Sequence, residues 1–322
     1  MSIHIISTGS YLPQAIESVQ PPLSGSMDTN NGSLAELFSG AREHRTCSEY
    51  ETTTYIGVQA ARNALTKGNI EPQSIDAVLC YSEAEDNQIP KDVYGIIDEI
   101  GCYGAMAWTI DTACASFLSH LNCANALSLT GKKRFLIIDS MNWVNRAFTK
   151  DKKADGPESL VGDGAGAVVV EAVSSRGSII DTIEKTSTLD FEFITMNNAQ
   201  VTGKRESIEF TTKHKIIHRA FSILPETAQE LLNRNNLNNN DITWTITHQP
   251  GINAMRKWHE LLEIPIEKNL NTFQIYGNMS AANIPVTLDH FLTVDPKIKR
   301  GDIILAFTAG AGIHCVATLI EY

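Results

Sequence analysis

The 322-residue chain contains no apolar run near the ~18 residues that would span a bilayer, no Cys-x-x-Cys pair and no surplus of positive charge. Each absence excludes something. The missing apolar run leaves no membrane span to expect. The six cysteines, Cys47, Cys80, Cys102, Cys114, Cys123 and Cys315, are scattered, which argues against both a zinc site and a disulfide framework. No metal site is therefore expected, and a reducing cytoplasm is the natural compartment. Met1 to Ile6 reads as a short strand without the basic stretch that opens a signal peptide. A formal net charge of −11 argues against nucleic acid as a partner. Glycine-rich turns are present, but no Gly-Lys-Ser/Thr follows them and none has the full G-x-G-x-x-G spacing, so a nucleotide loop is a poor fit.

What is present is 43% hydrophobic and 20% charged residues, the balance of a soluble protein with a sizeable core. Strand-like runs at Ala77 to Tyr81, Ala107 to Ile110, Phe135 to Asp139, Ala167 to Val170, Trp244 to Thr247 and Ile303 to Phe307 alternate with helical patterns. The helical patterns cover Tyr55 to Leu65, Lys215 to Leu232 and Ala254 to Leu262, so an α/β architecture is expected. Pro21 to Ser33, Thr149 to Ser159 and Leu237 to Asp241 read as loops. Gly162-Asp163-Gly164-Ala165-Gly166-Ala167 and Thr308-Ala309-Gly310-Ala311-Gly312 each feed an apolar strand. That similarity suggests two duplicated halves, 1–172 and 173–322.

Cys114 falls between the run Ala107 to Ile110 and a helical pattern formed by Phe117, Leu118, Leu121, Ala124 and Leu127. At such a turn the positive end of the helix is expected to favour the thiolate. A lone cysteine more often packs as a small hydrophobe. His248 ends the run Trp244 to Thr247, where a side chain can reach a cleft or be an ordinary loop histidine. Asn278 lies between a strand-like run and a helix of small residues, a setting equally suited to a helix cap. Together the three fit a cysteine nucleophile with distant histidine and asparagine partners. Papain-like proteases use the same trio, but their Cys-Gly-Ser/Ala-Cys-Trp/Tyr signature is absent.

These residues sit in motifs that resemble the β-ketoacyl-acyl-carrier-protein synthase III group of the thiolase superfamily. Ser7-Thr8-Gly9-Ser10-Tyr11-Leu12-Pro13 resembles that family's opening strand and turn. Gly40-Ala41-Arg42-Glu43-His44-Arg45 resembles its Gly-Ile-Arg-Glu-Arg element, and Asp111-Thr112-Ala113-Cys114-Ala115-Ser116 its nucleophile turn. Gly162 to Ala167, Thr247-His248-Gln249-Pro250 and Gly277-Asn278-Met279-Ser280-Ala281-Ala282-Asn283-Ile284-Pro285 complete an ordered set spanning the chain. The resemblance implies a thiolase-like αβαβα layered fold of two pseudo-duplicated halves. It implies that Cys114 takes an acyl group from a thioester, with the backbone N–H groups of Cys114 and Ala311 as oxyanion hole. It implies that His248 and Asn278 stabilise the enolate left when a malonyl-type thioester loses carbon dioxide, giving decarboxylative Claisen condensation. No permanently bound cofactor is implied; the substrates would be acyl-coenzyme A or acyl-carrier-protein thioesters, and the assembly a homodimer. Elongating ketosynthases place a second histidine where Asn278 stands, thiolases a second cysteine where Thr308 stands, and plant-type polyketide synthases a Gly-Phe-Gly-Pro-Gly turn that is missing here.

Departures from the family pattern point to a specialised substrate. Leu34, Phe38, Asp155 and Asn253 stand where the family carries the Trp and Arg groups that clamp coenzyme A. Ile89, before Pro90, and Ala309 replace bulkier Phe residues of the acyl pocket, which implies room for a longer or branched chain. Lys213, Lys215 and Arg219 on one helix and Arg256 and Lys257 after the histidine loop would dock an acidic carrier protein, although a solvated helix face would carry the same charges. Two other readings stand beside condensation: acyl transfer to an oxygen or nitrogen nucleophile without decarboxylation, and a non-catalytic partner in a heterodimer.

Overall fold

A computed structural model describes residues 2–19, 39–144, 160–188, 194–198, 208–212 and 217–322, with the backbone alone at 194–198, 208–212 and 217–220. Strand β1 (Ser2–Tyr11) opens the chain, and β2 (Ala15–Ser18) pairs with β3 (Glu43–Thr46). Helix α1 (Thr53–Gly68) leads to β4 (Ala77–Glu83), α2 (Asp92–Ile100), β5 (Met106–Thr109), α3 (Ser116–Ser128), β6 (Arg134–Met141) and β7 (Gly164–Val173). There follow β8 (Ile179–Thr186), β9 (Ile194–Asn198), β10 (Ile208–Thr212), α4 (Ile217–Arg234), β11 (Trp244–Thr247) and α5 (Ile252–Leu262). The short α6 (Phe273–Tyr276), α7 (Asn283–Thr293), β12 (Ile303–Gly310) and β13 (His314–Glu321) end the chain.

Strand alternation builds the layers. On β6, Phe135 and Ile137 point to one side of the first sheet, against Phe117, Leu118 and Leu121 of α3. Leu136 and Ile138 point to the other, against Ile56, Ala60 and Ala64 of α1. On β12, Ile304 and Ala306 join the same central cluster as α3, while Leu305 and Phe307 meet Leu231 of α4 and Trp258 of α5. Because both faces of each sheet are covered, these strands are apolar throughout rather than alternating with polar residues. The layers therefore run α1 and α2, first sheet, α3 and α7, second sheet, α4 and α5, which is the αβαβα arrangement.

The first sheet has the order β1-β7-β6-β4-β5 and the second β11-β12-β13-β8. β4 and β6 are parallel, β6 and β7 antiparallel, and β7 and β1 antiparallel. β11, β12, β13 and β8 repeat that parallel, antiparallel, antiparallel series. The two glycine-rich segments singled out in the sequence open β7 and close β12, at equivalent ends of the two series. Among the described residues, no helix is long and apolar enough to cross a membrane.

Two glycines let backbone meet backbone where the halves join. A Cβ on Gly162 would stand 2.0 Å from the Tyr276 carbonyl oxygen, and one on Gly310 2.0 Å from that of Thr112. The run before Asn278 is helical rather than a strand. The N–H groups of Tyr276 and Gly277 turn back to the carbonyls of Thr272 and Phe273 at 2.9 and 3.0 Å, closing a turn. Since no side-chain movement relieves a clash with backbone, Gly162→Ala is expected to cost about 2 kcal/mol of stability, read as a lower denaturation midpoint at unchanged slope.

Candidate active site

Cys114 lies in a 3-10 turn, Ala113–Ala115, that joins β5 to α3. The turn is held from several sides. The Ala113 N–H donates to Asp111 Oδ1 at 2.9 Å, the Thr112 N–H to Ser116 Oγ at 3.0 Å, and Thr308 Oγ1 to the Cys114 carbonyl at 2.9 Å. Beneath it, His120 Nε2 meets the Ile110 carbonyl at 3.1 Å while Nδ1 faces the buried Asp139 carboxylate at 3.4 Å. A second chain ties the turn to the second half. Thr112 Oγ1 meets Ser119 Oγ at 3.0 Å, Ser119 donates to Glu184 at 2.6 Å, and His314 Nε2 reaches the same carboxylate oxygen at 2.7 Å. His314 lies three residues after Ala311 on the turn between β12 and β13, so one carboxylate braces the nucleophile turn and the Gly-Ala-Gly turn together.

Asn278 is set by main-chain bonds to the glycine-rich segment of the first half. Its N–H donates to the Leu160 carbonyl at 2.7 Å and its own carbonyl accepts from Gly162 at 3.0 Å. Its side-chain Oδ1 accepts from the Ser280 N–H at 2.9 Å and faces the Asn283 amide nitrogen at 3.1 Å. With its oxygen engaged by Ser280, the Asn278 NH2 group is left to donate. His248 follows β11 and is 7% exposed. Burial pulls its ring down to about 4, against the opposing pull of hydrogen bonds to the Asn283 side chain and the Ser280 backbone. The imidazole is therefore neutral at physiological pH.

Ser280 is where these parts meet. Its Oγ lies 3.3 Å from Cys114 Sγ, its N–H holds Asn278, and its backbone bonds His248. Its backbone has φ +50, Ala113 beside the thiol has φ +51, and Ile313 after the Gly-Ala-Gly turn has φ +52. Left-handed backbone at residues other than glycine costs on the order of 1–3 kcal/mol each and collects where geometry serves function. The expectation of a thiolate does not hold. Burial pushes the Cys114 thiol up to about 12, with the Ser280 hydrogen bond opposing and the Glu83 carboxylate adding to the rise. A single turn of helix dipole is too weak to offset that desolvation.

The site joins a buried thiol, a neutral imidazole and an asparagine amide through Ser280, and the comparisons with known proteins give the family. A model of 3-oxoacyl-[acyl-carrier-protein (ACP)] synthase III matches residues 109–187, and a model of that family's C-terminal region matches 232–322. The β-ketoacyl-[acyl-carrier-protein] synthase III of Actinobacillus pleuropneumoniae is 30% identical over 319 residues, covering 99% of each chain. The chain belongs to the β-ketoacyl-acyl-carrier-protein synthase III family. It is therefore an enzyme of the condensing, transferase class. The crystal structure of the synthase III of Aquifex aeolicus VF5 superposes with a TM-score of 0.84 at 27% identity over the whole of both chains. A priming β-ketosynthase of the R1128 polyketide pathway has the same fold, with a TM-score of 0.85 at 22% identity and coverage of 99% and 96%.

Within this synthase III family member, the remaining sequence expectations fall in different places. Ala311 lies on the turn that Gly310 presses against Thr112. Ala309 alternates with Thr308 and Gly310 on β12. Those two face the nucleophile turn, so Ala309 turns toward the outer cluster of α4 and α5 rather than toward the thiol. Ile89 is 90% exposed on its own chain. Arg256 and Lys257 are exposed on α5, where Lys257 pairs with Glu260 at 3.3 Å and Arg256 donates to Asn253 at 3.2 Å. The side chain of Arg219 and the residues Lys213, Lys215, Leu34, Phe38 and Asp155 lie outside the described residues. Cys315 is buried on β13 in the outer cluster. Among the described residues no group of three His, Cys, Asp or Glu side chains is placed to hold a metal ion. Sequence reasoning missed Ser280, whose signal was its place two residues after Asn278, and Glu83, which closes the apolar run of β4.

A buried neutral imidazole has a measurable consequence. The ring signals of His248 are expected to titrate with a midpoint near 4 by NMR, below the ~6.5 of a free histidine. The unfolded chain binds that proton more readily. This contribution to stability is complete above about pH 6.5 and is lost as pH falls through about 4. The stability of the wild type should therefore fall by about 2–3 kcal/mol more than that of His248→Gln between pH 7 and 4, read from denaturation midpoints.

Proposed function

We propose that this chain forms an acyl-enzyme on Cys114 and condenses it with a malonyl-type thioester. The observation that carries the reading is the junction at Ser280, which contacts the thiol, bonds the neutral His248 and holds Asn278 by its side-chain oxygen, leaving the amide NH2 to donate. A neutral imidazole N–H and an amide NH2 suit an oxygen that gains negative charge as carbon dioxide leaves. The enolate carbon then attacks the thioester of acyl-Cys114, with the backbone N–H groups of Cys114 and Ala311 receiving the developing oxyanion. The C–S bond of the acyl-enzyme breaks and the cysteine is released for the next turnover.

The acyl donor is a coenzyme A or carrier-protein thioester, and no bound cofactor takes part. Arg256 and Lys257 on the exposed face of α5 support carrier-protein docking there. Asn253, at a position where the family carries a coenzyme A contact, supports a specialised pathway over housekeeping fatty-acid initiation. The exposed Ile89 and the edge strand β5, whose Trp108 is 41% exposed, support a homodimer in which Ile89 enters the partner subunit's acyl pocket. The repeated strand series supports two halves meeting near residue 172.

Intact-mass analysis after incubation with a panel of acyl thioesters should show one acyl adduct, absent in Cys114→Ala. Asn278→Ala should keep the adduct while malonyl-thioester decarboxylation falls by roughly 100-fold, the usual effect of removing one oxyanion donor. An adduct with no decarboxylation by the wild type would instead assign plain acyl transfer, and no adduct would assign the inert partner. Ile89→Phe is expected to shorten the longest acyl chain accepted, read from the same panel.

A further inference from the structure

A thiol held near 12 is a poor nucleophile at neutral pH, and neither His248 nor Asn278 is positioned by the described hydrogen bonds to take its proton. The hydrogen bonds lead instead to a carboxyl. Glu83 ends β4, the strand next to the one that delivers Cys114, at the edge where the parallel strands of the first sheet finish. It is buried, at 9% exposure, and the next residue, Ala84, has left-handed backbone with φ +63. Tyr81 Oη donates to Glu83 Oε2 at 2.5 Å, Ser280 Oγ donates to the same oxygen at 3.1 Å, and Ser280 Oγ lies 3.3 Å from Cys114 Sγ. A hydroxyl has one proton to give. When Ser280 gives it to Glu83, the thiol is left to donate to Ser280, and the three groups form a continuous path from sulfur to carboxylate.

We propose that Glu83 receives, through Ser280 Oγ, the proton that Cys114 releases when it attacks a thioester. The inference rests on the condensing-enzyme reading for its substrate, but the proton path itself does not. In the step, the Cys114 proton moves to Ser280 Oγ as the Ser280 proton moves to Glu83. The new S–C bond forms and the C–S bond of the incoming thioester breaks. The departing thiolate leaves with the electron pair and takes the proton back from Glu83 by the same path, so one thioester and one thiol are exchanged for another pair. Burial raises the Glu83 carboxyl above its ordinary range, and the Tyr81 and Ser280 hydrogen bonds oppose the rise, which suits a group that gains and loses a proton. The titratable groups that face it are Tyr81 from its own strand and Asp111 and Cys114 from the turn after β5. Glu83 acts through Ser280 and is a positioning residue for the proton, not a group that touches substrate.

The alternative role for this carboxylate is a burden. A fixed negative charge beside a thiol raises the thiol's pKa, so its removal should then speed the chemistry. The two roles predict opposite results for Glu83→Gln. The measurement is the rate of Cys114 alkylation by iodoacetamide from pH 5 to 10, read by peptide mass spectrometry, alongside acylation by thioesters. If one proton is shared between Glu83 and Cys114, the share of molecules with it on Glu83 does not change with pH, and the wild-type rate reaches a plateau at neutral pH. Glu83→Gln should lose the plateau, climb tenfold per pH unit, and be acylated by thioesters at least tenfold more slowly at pH 7. Ser280→Ala breaks the same path from the other end and should slow acylation at pH 7 alike, which keeps the test sound should Glu83→Gln not fold. The double variant should be no slower than either single one. A Glu83→Gln acylation rate equal to or above the wild type at pH 7 overturns the proposal, as does a Ser280→Ala acylation rate equal to the wild type. A plateau with no acyl adduct from any thioester would retain the relay and remove the condensing reading; adducts without a plateau would do the reverse.

Discussion

The site depends on two places where main chain presses on main chain. Cys114 belongs to the first half of the molecule and Asn278 to the second, and neither could reach the other if the backbones were kept a side chain apart. Gly162 and Gly310 remove that spacing, the first against the Tyr276 carbonyl and the second against that of Thr112. The glycine-rich segments, which from composition alone invite a phosphate, serve instead as contact surfaces between halves. Their N–H and C=O groups bond across the contact, and Asn278 is held on both sides by Leu160 and Gly162. A cysteine and an asparagine separated by more than half the chain are thereby fixed to a common residue, Ser280, the first by its hydroxyl and the second by its backbone N–H.

Enclosure then determines the chemistry available. Burial raises the thiol, lowers the imidazole and raises the nearest carboxyl, in each case disfavouring the charged form. The site is thus a set of neutral or weakly charged groups. That condition favours donors that stabilise an oxyanion without first being desolvated. It also makes the proton on sulfur the obstacle, and the Tyr81, Glu83 and Ser280 chain the one hydrogen-bonded path from that sulfur to a buried carboxyl among the described residues.

Much of the fold was legible in the sequence because strands buried on both faces appear as unbroken apolar runs. Trp244 to Thr247 is read from the sequence with the bounds of β11, and Ala107 to Ile110 lies one residue beyond those of β5. The run before Asn278 was misread, since four apolar-rich residues suit a strand or a helical turn equally and only the Thr272 and Phe273 carbonyls decide between them. Cys114, His248 and Asn278 were legible as a trio because their flanking motifs are ordered along the chain. The protonation of Cys114 was not, because a helix terminus can be seen in a sequence and desolvation cannot. Ala309 was assigned to the pocket by position in a motif, and strand alternation turned it toward the outer cluster.

By itself, the sequence determined the α/β class, the family and the three residues around which the site is built, because each is carried by a local pattern of apolar spacing or short-range motif. Tertiary structure alone decided which atoms face one another. That Ser280 joins the thiol to Asn278, that Glu184 braces both turns, and that Glu83 lies one hydroxyl away from Cys114 are consequences of chain segments up to 197 residues apart being packed together. Hydrogen-bond partners and desolvation depend on distance in space, and no residue spacing along the chain encodes them.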